Sequence, residues 1–105
     1  MVEACARIVH ACPRKVRHAW SQVLDLLDLD HGVRQLGVPT AVVVGTADRL
    51  TPPVHAHQLA AALPNCLGVT ELPGVGHMTP IEAPETVTAR IRELVTTYVQ
   101  VKEGA

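Results

Sequence analysis

An α/β fold built on two parallel strands follows from three observations. Ala41-Val42-Val43-Val44 is an unbroken apolar run rich in β-branched residues, bounded by Pro39 and Gly45. Apolar on both faces, it suits a strand of a parallel sheet covered by helices on each side. Leu67 to Leu72 reads as a second, shorter strand, and between the two Ala56, Leu59, Ala60 and Leu63 recur at helical spacing. Strand, helix and strand within about thirty residues make a βαβ unit, whose crossover is right-handed.

The elements follow in chain order. Val2, Cys5, Val9 and Cys12 repeat at helical spacing, so a first helix runs up to Cys12, where Pro13 breaks it. Pro13 also opens a second helix carrying Val16, Ala19, Trp20, Val23, Leu24 and Leu27 on one face. That stripe is core or cap surface, not a cofactor site. Asp30 can cap a third, short helix over residues 31–36, ended by Gly37 in a left-handed conformation. The first strand comes next, and after Asp48 the run Thr51-Pro52-Pro53 leads into a helix over residues 54–63, which Pro64-Asn65 ends. Pro73-Gly74-Val75-Gly76-His77 is a loop beyond the second strand. A last helix from Pro84 carries Val87, Ile91, Leu94, Val95 and Tyr98 inward, and Lys102 to Ala105 fray. The organisation is thus a helical segment over residues 1–37 and a βαβα part over 38–105, without repeats.

Composition limits the function classes. The chain has 105 residues, room for one domain or part of one, and its 48% hydrophobic and 18% charged residues are globular values. There is no Phe, one Trp and one Tyr, so Val, Leu and Ala must fill the interior and few side chains remain for stacking on bases. A net charge of −1 gives no footprint for nucleic acid or an anionic membrane, and Arg14, Lys15, Arg17 and His18 read as a solvated helix face. No apolar run approaches the ~18 residues that span a bilayer. The first residues lack a signal-peptide pattern, so a cytoplasmic location is expected. Cys5, Cys12 and Cys66 are an odd number without metal-ligand spacing and read as reduced thiols. His55 and His57, two apart on a helix, point away from each other and cannot chelate one ion. No metal and no cofactor are expected.

The chemistry rests on two residues. Asp48 leaves the first strand at its carboxyl end and His77 leaves the second, on the edge where open α/β sheets build their sites. Loops from neighbouring parallel strands emerge side by side, so carboxylate and imidazole can meet. A carboxylate on one ring nitrogen fixes the tautomer and frees the other nitrogen to take a proton from a nucleophile. Gly74 and Gly76 let that loop bend steeply. Taken singly, Asp48 is a turn former whose side chain caps local amides, and Glu82 a capping and helix-dipole residue; the pairing with His77 lifts Asp48 above that reading.

Three runs carry a family resemblance: Val38-Pro39-Thr40 through Gly45-Thr46-Ala47-Asp48-Arg49-Leu50-Thr51-Pro52, then Leu72-Pro73-Gly74-Val75-Gly76-His77-Met78, then Glu82-Ala83-Pro84-Glu85. Together they resemble the C-terminal part of the α/β-hydrolase fold. The resemblance implies a partial α/β-hydrolase fold, with Asp48 as the triad acid and His77 as the base. The helices before Val38 resemble the end of the cap that precedes the acid-bearing strand. Family members mostly hydrolyse esters, lactones, epoxides and related bonds.

The departure is equally informative. The family's nucleophile sits in a Gly-x-Ser-x-Gly elbow, and this chain has no such stretch. Its one serine, Ser21, lies inside the second helix without flanking glycines. The chain is therefore expected to be inactive alone, and to act on a small ester-like substrate only when complemented. The first strand has one unpaired edge, which invites a second copy or an N-terminal complementing fragment. The alternative is a non-catalytic truncated relative serving as an interaction module or a vestigial product.

Overall fold

A computed structural model describes residues 2–99. Its elements are α1 (Val2–Ala11), α2 (Arg14–Asp25), α3 (Asp30–Arg34), β1 (Thr40–Gly45), α4 (Pro53–Ala62), β2 (Cys66–Leu72), α5 (Thr79–Glu82) and α6 (Pro84–Tyr98). The expected fraying of Lys102 to Ala105 lies outside the described residues.

β1 and β2 pair in parallel in a two-stranded sheet, with α4 as the crossover. The register runs Thr40 to Cys66, then Val42 to Val69, so β2 advances one residue further than β1 over that step. Gly68, at φ 118°, absorbs the extra residue in a backbone conformation that a side chain would strain. At seven residues against six, β2 is longer than β1, contrary to the expectation of a shorter second strand, because this bulge extends it back to Cys66.

Side chains alternate along a strand, so Val42 and Val44 share one face, and α4 packs there with Ala56 and Leu63. These four form the buried cluster, with Val33, Cys66 and Val69 against it. On the opposite face Val43 is half-buried and Thr70 exposed. Thr40 and Thr46 direct their N–H groups to carbonyls on the β2 side, at 3.0 Å each to Asn65 and Leu72. By the strand's alternation Ala41 and Val43 aim theirs at β1's other edge, which no described strand covers.

The helices form where their patterns place them, but several apolar faces lie bare. Pro13 is the N-cap of α2 and not its first residue. None of the α2 residues is buried, and Trp20 is 63% exposed. α6 likewise buries none of its residues; Ile91 at 56% exposure, Val95 and Tyr98 do not point into a core as expected. Periodicity says which face is apolar, not what covers it. Asp30 does not cap α3: it lies within the helix, its N–H bonded to Asp28 Oδ1 and its carboxylate to Arg34 Nε at 2.9 Å. Gly37 is not left-handed, because α3 ends two residues earlier than expected, at an ordinary right-handed Gln35.

The chain exposes 8387 Å², whereas a folded monomer of 11.2 kDa exposes about 5,700 Å² by the area–mass relation. Its radius of gyration, 16.6 Å, exceeds the ~13 Å of a compact domain of this length.

Candidate active site

β1 ends at Gly45, and the chain turns at once beneath the loop that leaves β2. A methyl group on Gly45 would press into the backbone carbonyls of Val75 and Gly76, so only glycine lets strand and loop cross this closely. Two bonds stitch them: Ala47 N–H donates to the Val75 carbonyl at 2.9 Å, and Gly74 N–H to Thr46 Oγ1 at 2.8 Å. Gly74, at φ 72°, makes the turn that brings the loop back over β1.

This crossing sets Asp48 against His77. Asp48 Oδ2 lies 3.0 Å from His77 Nδ1. An ionised carboxylate can only accept, so in this contact Nδ1 carries the proton, and Nε2 is left as the ring's basic nitrogen. The Asp48 side chain is 5% exposed and that of His77 44%. A cleft of about 350 Å³ opens beside them, between β1, the start of α4 and the His77 loop.

Asp48 also does the turn former's work. Its Oδ1 accepts the N–H groups of Leu50 at 3.0 Å and Thr51 at 2.9 Å, while Oδ2 accepts the Thr51 hydroxyl at 3.1 Å besides facing His77. Four donors fill the acceptor capacity of one carboxylate, which is how a nearly buried charge is tolerated. Burial alone would raise the carboxyl pKa. The donors outweigh it, Thr51 N–H and His77 first, then the Thr51 hydroxyl and Leu50 N–H, and hold Asp48 below its ordinary 3.8.

Two residues that the sequence did not single out for this role complete the site. Thr51 Oγ1 stands 3.3 Å from His77 Nδ1 as well as against Asp48, bridging acid and imidazole. Glu82 sends Oε1 to the N–H of Gly76 at 3.0 Å and Oε2 to that of Met78 at 3.1 Å. Its bond to the N–H of Met78, the N-cap of α5, is the capping role expected of it, and with the Gly76 bond it also holds the His77 loop.

The other candidates lie apart from this chemistry. Ser21 spends its hydroxyl on the His18 carbonyl at 2.9 Å, within α2. His57 pairs with Glu71 at 2.8 Å, tying α4 to β2 on an exposed surface where such pairs contribute about 0–1 kcal/mol. Cys5, Cys12 and Cys66 are free thiols. Among the described residues no cluster of ligand-type side chains is set to hold a metal, and no helix is long and apolar enough to cross a membrane.

No protein-family model matches the sequence, and no curated protein matches it. Solved structures do. A thermophilic esterase from Thermogutta terrifontis is 35% identical over 66% of this chain and 25% of its own, with a TM-score of 0.60. MGS-M2, an α/β-hydrolase from a Medee basin deep-sea metagenome library, is 25% identical over 72% of this chain and 27% of its own, at 0.63. MGS-MChE2, an α/β-hydrolase from a Mar Chica lagoon sediment metagenome, shares the fold at 23% identity and 0.59, over 66% of this chain and 31% of its own. With its parallel strand pair and flanking helices, the chain is a partial α/β-hydrolase fold, spanning about a quarter to a third of these relatives.

Proposed function

We propose that this chain carries the acid and base of a serine-type α/β-hydrolase acting on an ester or related acyl bond, with the nucleophile supplied by another polypeptide segment. The observation that carries this reading is the 3.0 Å contact between a nearly buried Asp48 and a half-exposed His77 at the wall of a cleft. His77 Nε2 takes the proton of a serine hydroxyl as its oxygen attacks the acyl carbonyl, and Asp48 stabilises the imidazolium that forms. The proton then passes to the leaving group. Water, deprotonated by the same nitrogen, releases the acyl group. The esterase among the similar structures supports the bond type.

The open edge of β1 is the place for the missing segment. A strand added there continues the sheet at the cleft that holds Asp48 and His77. The bare apolar faces of α1 and α2 support their reading as the end of a cap. The surface excess of roughly 2,700 Å² over a compact monomer is more than the ~800 Å² a chain gives to a standard interface.

The test is complementation. The chain is mixed with an upstream polypeptide bearing a Gly-x-Ser-x-Gly elbow, and turnover of an activated ester is compared with a His77→Ala control. Turnover above that control supports the reading. Turnover at the control level, in the mixture and in the chain alone, leaves the non-catalytic relative.

A further inference from the structure

The loop that bears His77 is held from both sides, and the hold on its α5 side is made by a single side chain. Toward the strand, Val75 and Gly74 are tied to Ala47 and Thr46. Toward α5, the two oxygens of Glu82 take the N–H groups of Gly76 and Met78, the residues directly before and after His77. Met78 is held further, its carbonyl accepting N–H from Ile81 at 3.0 Å and from Glu82 itself at 2.9 Å. A Cβ on Gly76 would sit 3.0 Å and 3.2 Å from the same carboxylate oxygens, so carboxylate and loop backbone are in direct contact. Four residues in this stretch are pinned, and His77 is the one between two of the pins.

We propose that Glu82 is a positioning residue for His77: gripping the backbone on either side of the imidazole, it sets the ring where Nδ1 meets Asp48. A charged acceptor makes stronger bonds to amides than a neutral one, and two bonds from one rigid carboxylate fix the spacing of the two amides as well as their direction. Without Glu82 those N–H groups turn to water, and the segment from Gly76 to Met78 is free to swing. Glu82 thus acts through the backbone and touches neither substrate nor nucleophile. The inference rests on reading His77 as the base, but its test does not require turnover.

The test is solution NMR of the 105-residue chain as wild type, Glu82→Ala and Glu82→Gln. Wild type is expected to show slowed amide exchange at Gly76 and Met78 and a downfield Nδ1–H resonance from His77. Glu82→Ala should speed exchange at those two amides about tenfold and abolish the ring signal, with amides on the β1-facing side of β2 such as Thr70 unchanged. Glu82→Gln, which keeps one acceptor oxygen, should fall between. Exchange and ring signal at wild-type values in Glu82→Ala would overturn the proposal. So would absence of both in the wild type, or loss of sheet protection in both variants, which would make Glu82 a stability residue only. Failed complementation beside a positive NMR result would reject the hydrolase reading and leave the clamp standing.

Discussion

Replacing Gly45 by alanine tests whether the crossing of β1 and the His77 loop builds the site. The added Cβ lands well inside 3.0 Å of the Val75 and Gly76 carbonyls, closer than real Cβ atoms approach, and both obstacles are backbone. Strand and loop must separate by an amount on the order of 1 Å, which in a positioned catalytic pair costs about a hundredfold in rate. Overpacking of this kind costs ~1–3 kcal/mol, and loss of the Ala47 to Val75 bond adds ~1 kcal/mol. Relief of glycine's backbone entropy in a strand offsets roughly 0.5–1 kcal/mol, leaving a net loss of about 1–3.5 kcal/mol. Gly37→Ala is the control: nothing lies within 4 Å of its Cβ and its φ is ordinary. Urea unfolding followed by circular dichroism reads the difference. With a slope of about 1 kcal/mol per molar for a chain this small, Gly45→Ala should lower the midpoint by about 1–3.5 M or leave no folded baseline. Gly37→Ala should leave it in place or raise it slightly, since the same entropy relief meets no clash there. A Gly45→Ala midpoint equal to that control would refute the steric reasoning.

Three further outcomes are expected. The lowered Asp48 pKa means its ionised form stabilises the fold above the ordinary 3.8 and is lost as pH falls through the lower native value. The stability gap between wild type and Asp48→Asn, from urea midpoints across pH, should therefore be widest near neutrality and close in acid; a constant gap would contradict this. Thr51→Val keeps the backbone donor but removes the hydroxyl that reaches Asp48 Oδ2, and should cost about 1 kcal/mol in the same assay; no loss would remove Thr51 from the network. With β1's edge open and several apolar helix faces bare, sedimentation at micromolar concentration should show self-association or marginal folding; a well-folded monomer would count against the edge reading.

Much of the fold was legible because its signals are local. The Ala41 to Val44 run and the small-residue face of α4 specify their elements by composition and period, and the βαβ rule joins them. The meeting of Asp48 and His77 was legible because parallel neighbours send their loops to one edge. What escaped depends on geometry with no linear signature. α5 is four residues with a proline in its first turn, too short for a period to show. The grip of Glu82 arises only once the loop folds back, although an acid four positions after Met78 is within one helical turn of its amide. Burial of α6 failed for another reason: the sequence marks its apolar face but not what covers it, and none of the described residues buries it; the α2 stripe, read as core or cap surface, is likewise bare. The bulge in β2 had a signal, Gly68 inside a strand pattern.

The most direct measurement is the tautomer of His77 at neutral pH, read from its ring ¹⁵N shifts in wild type and Asp48→Asn. With the Asp48 carboxylate at Nδ1, the wild-type ring should carry its proton on Nδ1 and leave Nε2 bare, and Asp48→Asn should lose that preference. A wild-type ring protonated on Nε2 with Nδ1 bare would contradict the pairing on which the proposed chemistry stands.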